Sequence, residues 1–241
     1  MSAHGCSAAL RERCDMTSGI DVWNVRAGYG AVEALHDVTM RFPLGSVVGL
    51  LGRNGAGKST LMRAIAGTVP ITAGQIRWQG RDITRLAPHE RSGSGLTVIP
   101  DGTNVFLDMS VQENLAVFGH GASVAPVYAA FPELEGKAEQ RASTLSGGER
   151  QMLALARLLL KAGDALLLDE ASTGLSVGAI DRLYEVIAEL ATPQRTVVIV
   201  EQYLPDIIRH ADLIYVLARG KVAWLGEPSE LSNGSRPAAL D

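Results

Sequence analysis

Eight consecutive residues, Gly52-Arg53-Asn54-Gly55-Ala56-Gly57-Lys58-Ser59, have the types and spacing of a loop that cradles phosphate. Glycines at the fixed positions leave the backbone bare, so successive N–H groups can converge on one anion. With Thr60 they form a segment, 52–60, in which Lys58 would reach the outer phosphates of a nucleotide and the Ser59 hydroxyl would ligate Mg²⁺. A second constellation is Ala165-Leu166-Leu167-Leu168-Asp169-Glu170, an apolar run that ends in two carboxylates, suited to one metal contact and one water contact. A third, Leu145-Ser146-Gly147-Gly148-Glu149, opens a leucine-rich stretch and has no job in an enzyme that binds phosphate through a single loop. At the start of a helix it offers free N–H groups, a hydroxyl and the positive end of the dipole to a second anion. A chain with two phosphate-binding helix starts far apart in sequence can bind nucleotide between two molecules.

These residues need particular elements behind them. Val47-Val48-Gly49-Leu50-Leu51 reads as a short buried strand feeding the loop, and Leu61 to Ala66 as a helix closed by Gly67. Strand, glycine loop and helix are the setting in which a helix N-terminus points at phosphate. Upstream, Ile20–Val25 and Leu35–Phe42 alternate apolar and polar residues as half-exposed strands do. Gln75–Arg81 predicts another strand and turn of a small antiparallel layer, and Leu96–Ile99 a short strand stopped by Pro100. Ser110 and Glu113 have capping-box spacing for a helix through Asn114 and Leu115. The charged stretch Glu133–Arg141 reads as a solvated helix, and Glu149–Leu160 as a largely buried one. Ile180, Leu183, Ile187 and Leu190 mark one face of an amphipathic helix, Thr196–Val200 a buried strand, and Leu213–Leu225 a hairpin turning at Ala218-Arg219-Gly220. The alternation predicts an α/β core with a mostly parallel sheet, an antiparallel layer, and an inserted helical lobe over about 104–162.

Composition narrows the class. The 241 residues are 46% hydrophobic and 20% charged with a formal net charge of −4, so the basic balance of a nucleic-acid-binding surface is missing. No apolar stretch approaches the length of a membrane span, and no secretory leader is recognised, so service to a membrane would come from the water side. Cys6 and Cys14 make neither a disulfide framework nor a zinc site. Residues 1–19 read as an N-terminal extension without periodicity, 20–233 as one folded unit and 234–241 as a tail.

The three constellations together are similar to the ATP-binding cassette (ABC) ATPases, and the resemblance runs over residues 20–233. It implies a P-loop NTPase fold and a head-to-tail pair of domains holding ATP and Mg²⁺ between them. Ser146, Gly147, Gly148 and Glu149 of one domain would face the phosphate loop of the other. It also implies that Asp169 holds Mg²⁺, that Glu170 is the general base, and that Tyr29 stacks on adenine. Asp101 stands where the family usually has a glutamine that touches the metal, and Gln202 where it usually has a histidine at the γ-phosphate. An amide can donate that hydrogen bond but cannot take up a proton. Ala171 and Ser176 also depart from the usual pattern, and each departure could weaken hydrolysis.

Asp101-Gly102, Glu201-Gln202 and a short lobe resemble the ATPase of branched-chain amino acid importers, although Thr103 replaces an arginine usual there. The implied partners are transmembrane permease subunits, a second ATPase subunit (the same chain or another) and, indirectly, a solute-binding protein, with the chain peripheral on the cytoplasmic face. Two alternatives stay open. One is a non-transport ABC ATPase acting on nucleic acid or a ribosome, which usually carries a coiled-coil insertion or two cassettes. The other is a weakly hydrolysing partner in a heterodimer, and the intact Glu170 argues against complete inactivity.

Overall fold

The computed structural model describes residues 19–100, 102, 105–160, 163–201, 207–232 and 237. The expectations for the extension 1–18, Cys6, Cys14, Asp101, Thr103, Gln202 and, residue 237 apart, the tail lie outside the described residues.

Three runs of five apolar-rich residues, β3 (Val47–Leu51), β7 (Ala165–Asp169) and β8 (Thr196–Val200), are buried throughout. Continuous burial is what a parallel sheet covered on both faces requires. With β6 (Leu96–Ile99), β9 (Leu213–Ala218) and β10 (Lys221–Gly226) they form a six-stranded sheet in the order β10-β9-β3-β8-β7-β6. All its pairings are parallel except the β9–β10 hairpin. Alternate residues serve opposite faces: Val48, Leu50, Leu167 and Val198 join one core, while Val47, Leu51, Leu166, Leu168 and Ile199 join the other.

The first core is shared with the phosphate-loop helix α1 (Lys58–Ala66) and with an antiparallel sheet, β2-β1-β4-β5. That sheet comprises β1 (Ile20–Tyr29), β2 (Val32–Phe42), β4 (Ile71–Trp78) and β5 (Arg81–Asp82). The expected strand and turn at 75–81 is thus the end of a longer strand and its hairpin. Tyr29 is the last residue of β1. The short helix α2 (Pro88–Gly93) supplies Arg91, whose buried guanidinium donates to the carbonyls of Ala64 and Ile65 in α1 and of Thr84 and Leu86. A cation at the C-terminal end of α1 satisfies orphan carbonyls and complements the helix dipole.

The second core continues into the helical lobe, α3 (Val111–Gly119), α4 (Ala125–Ala130), α5 (Pro132–Glu135) and α6 (Gly147–Leu160), and into α7 (Val177–Leu190). A last helix, α8 (Pro228–Ser232), follows β10. The capping box at Ser110 and Glu113 forms as expected. Buried Asn114 pins the preceding loop, accepting from the Phe106 N–H at 2.7 Å and donating to the Phe106 and Ser110 carbonyls. The solvated helix expected over Glu133–Arg141 is a correction: α5 stops at Glu135, and turns carry the chain to Arg141. Gly136 follows it at once, and Lys137 and Glu133 spend their charges on Glu149 and Arg182 instead of on neighbours one helical turn away.

Candidate functional site

The phosphate loop leaves β3 and enters α1 at Gly57, whose φ of 105° lies in the left-handed region where a Cβ is unfavourable. No side chain caps this helix start. Its first bond runs from the Leu61 N–H to the Gly57 carbonyl, so the N–H groups of Lys58, Ser59 and Thr60 precede the helical ladder. Arg53 accepts the Ala56 N–H at 3.0 Å, closing the turn that carries Asn54 and Gly55, both exposed. The Lys58 ammonium is buried and donates to the carbonyls of Gly52 at 2.7 Å and Arg53 at 3.3 Å.

Burial pushes the Lys58 ammonium below its ordinary pKa, while the charges of Glu170, Asp169 and Glu201, in that order, pull it back up. Three carboxylates from two other strand ends therefore lie within electrostatic reach of the loop. Asp169 is the buried last residue of β7. Glu170 follows in the left-handed conformation, φ 51°, with its N–H on the Val200 carbonyl at 2.9 Å and its carbonyl accepting from Thr173. Such a conformation in a residue with a side chain is held only where neighbours impose it. The donors fit a small hard cation such as Mg²⁺: the Ser59 hydroxyl and the Asp169 carboxylate are both oxygen, beside a lysine that feels the same carboxylate. Among the described residues no cluster of three or more His, Cys, Asp or Glu makes a metal site by itself.

Tyr29 is 48% exposed, and its hydroxyl accepts from Arg63 of α1 at 3.0 Å, which ties the ring to the phosphate-loop helix. The signature residues lie at the start of α6. Ser146 and Gly147 are exposed at the start of α6, and Gly148 passes so close to Gly174 that a Cβ there would meet its carbonyl oxygen at 2.8 Å. Glu149 accepts the Ser146 N–H at 2.9 Å and pairs with Lys137, while Ser146 Oγ accepts the Glu149 N–H at 3.3 Å. The Ser146 hydroxyl and Glu149 carboxylate are thus partners in a capping box.

The structure adds residues that spacing did not single out. Gln151 donates to the Ala171 carbonyl at 3.1 Å, joining α6 to the loop after Glu170. Glu201 is buried and accepts the Ser172 N–H at 3.0 Å. Two sequence signals touch it: the Glu201-Gln202 pair, and an acidic residue directly after the run Thr196–Val200, one threonine and four apolar residues, much like the run before Asp169.

A family model for ABC transporters matches residues 35–173. The chain is 39% identical over 201 residues to the high-affinity branched-chain amino acid transport ATP-binding protein BraG of Pseudomonas aeruginosa, covering 80% of this chain and 86% of that one. It is 35% identical to the probable branched-chain amino acid transport ATP-binding protein LivF of Archaeoglobus fulgidus, covering 86% and 91%. Among solved structures, a bacterial Atm1-family ABC exporter with ATP bound superposes with a TM-score of 0.80 at 29% identity over 91% of this chain. This chain spans 40% of that exporter's length.

Proposed function

The chain belongs to the ABC transporter family and is an ATPase of it, and we propose on that premise that it powers uptake of branched-chain or related amino acids through a separate permease. The observation that carries the catalytic reading is the strand register: Leu50 and Asp169 both stand level with Val200 in the parallel sheet, so the phosphate loop and Glu170 leave the same edge. Ligands of open α/β sheets bind in just such a crevice, at the carboxyl ends of the strands. The membrane side rests on the relatives' transport roles. No helix among the described residues is long and apolar enough to cross a bilayer, which fits a subunit that lies against its permease.

In this reading the N–H groups of the 52–60 loop and the Lys58 ammonium receive the phosphates of ATP, and Tyr29 stacks on the adenine. Ser59 and Asp169 would hold Mg²⁺, with Asp101 a further oxygen donor. When bound, the ion offsets phosphate charge. Glu170 accepts a proton from water as its oxygen attacks the γ-phosphorus. The bond from that phosphorus to the β–γ bridging oxygen breaks, releasing ADP and phosphate. Gln202 donates a hydrogen bond to the γ-phosphate without taking up a proton. Ser146, Gly147 and Gly148 of a second ATPase subunit face the γ-phosphate from the opposite side, and Glu149 holds that helix start in shape. ATP closes the pair, and hydrolysis reopens it.

The test is uptake of labelled leucine by proteoliposomes that hold the chain with its permease and solute-binding protein. ATP-dependent uptake, lowered at least about 100-fold by Lys58→Ala, is the expected result. ATP hydrolysis without uptake of any branched-chain or related amino acid would overturn the cargo and leave the ATPase.

A further inference from the structure

We propose that Glu201 is a positioning residue for hydrolysis: its buried carboxylate anchors the loop that follows Glu170 and so sets the direction in which Glu170 points. The inference rests on the catalytic reading of Glu170 given above.

The topology puts Glu201 where such an anchor must be. Strand β8 lies between β3, which feeds the phosphate loop, and β7, which ends in Asp169. The residue that leaves β8 therefore emerges between the two halves of the site. The Glu201 N–H donates to the Leu50 carbonyl at 3.3 Å on the phosphate-loop side, and its Oε1 accepts the Ser172 N–H at 3.0 Å on the other. The preceding residue, Val200, accepts the Glu170 N–H. Adjacent residues of one strand end thus hold both Glu170 and the turn immediately after it.

That turn needs holding. Glu170 is left-handed, and the Thr173 N–H returns to its carbonyl at 3.1 Å, so a shift of Ser172 is passed to the Glu170 backbone through a single tight turn. The lobe grips the same turn one residue earlier, through Gln151 on the Ala171 carbonyl. Glu201 is the matching grip from the sheet. A buried carboxylate is costly to desolvate, and packing alone is served as well by an uncharged side chain. Here it accepts a backbone N–H and stands near the Lys58 ammonium, which meets both of its needs. Its negative charge also opposes the incoming phosphates, so it acts against nucleotide affinity while it favours geometry.

The experiment uses the full chain with MgATP, with Lys58→Ala as the inactive control. Glu201→Ala, Glu201→Met and Glu201→Gln are compared for kcat, KM for ATP, and hydrogen exchange of the segment 170–176. The methionine keeps volume without an acceptor and is read if the alanine protein does not fold. The glutamine keeps the acceptor and drops the charge. Alanine or methionine is expected to lower kcat about tenfold or more with faster exchange in 170–176, since small misplacements of a reacting group cost rate steeply. Glutamine is expected to recover most of kcat and the protection, with KM for ATP lowered several-fold. Unchanged kcat in folded alanine or methionine protein would overturn the proposal, as would glutamine protein no better than these. A wild type that neither binds nor hydrolyses ATP would instead overturn the catalytic reading itself.

Discussion

Two helix starts in this chain are suited to phosphate, and they are built in opposite ways. Helix α1 begins at Gly57 with no side chain over its first N–H groups, under a buried lysine and on a strand buried along its whole length. Helix α6 begins at exposed Ser146 and Gly147, and its own side chains close a capping box there, braced by Lys137. The first leaves its donors open because the loop that delivers them is held by backbone and by the hydrophobic core. The second satisfies itself within the chain and shows Ser146 and Gly147 to solvent, as a surface that waits for another molecule would. A site completed in trans needs both kinds: one half rigid in the subunit that holds the nucleotide, the other stable while unpaired.

The contrast can be broken at each end. Arg91→Ala should have the largest effect on stability, about 3 kcal/mol, because four carbonyls lose the one buried cation that serves them. Urea unfolding should register this as a global loss, and a change below about 1 kcal/mol would mean that α1 does not depend on that anchor. Glu149→Ala removes the box at α6 and should cost about 1 kcal/mol. It should lower kcat while leaving nucleotide affinity of the isolated subunit unchanged, which titration calorimetry against turnover would separate. A parallel loss of affinity would erase the distinction between the two helix starts.

The smallest effect is a pH dependence. The hydrogen bond from Lys137, then that from the Ser146 N–H, holds the Glu149 carboxyl below its ordinary 4.5. A carboxyl whose folded pKa is depressed contributes stability above its unfolded pKa and loses it as pH falls through the folded one. The contribution is therefore complete above pH 4.5 and declines below it. Melting curves of wild type and Glu149→Gln should converge as the pH is lowered from about 6 to about 3, and a constant gap would contradict this sign.

What the sequence showed and what it hid follow from the range of the interactions. Gly67 as the end of α1, the Ser110–Glu113 box and the apolar run into Asp169 and Glu170 are local, and each is present where its spacing put it. The charged stretch Glu133–Arg141 failed as a helix because charge pattern reports solvation, whereas its partners, Arg182 and Glu149, come from other helices. What Arg91 and Glu201 hold was illegible for the same reason: their contacts depend on α2 folding under α1 and on β8 inserting between β3 and β7, neither of which any spacing encodes. Asp169 and Glu170 could be read from the chain, but the groups that hold the turn after them could not.

The most direct measurement of the central claim is ATP turnover of the purified chain beside Glu170→Gln, with light scattering to follow association. Loss of turnover in the variant, together with a dimer that persists in ATP, is the predicted result, because nucleotide still binds while the water is no longer activated. Undiminished hydrolysis by Glu170→Gln would contradict the account, since the base would then lie elsewhere.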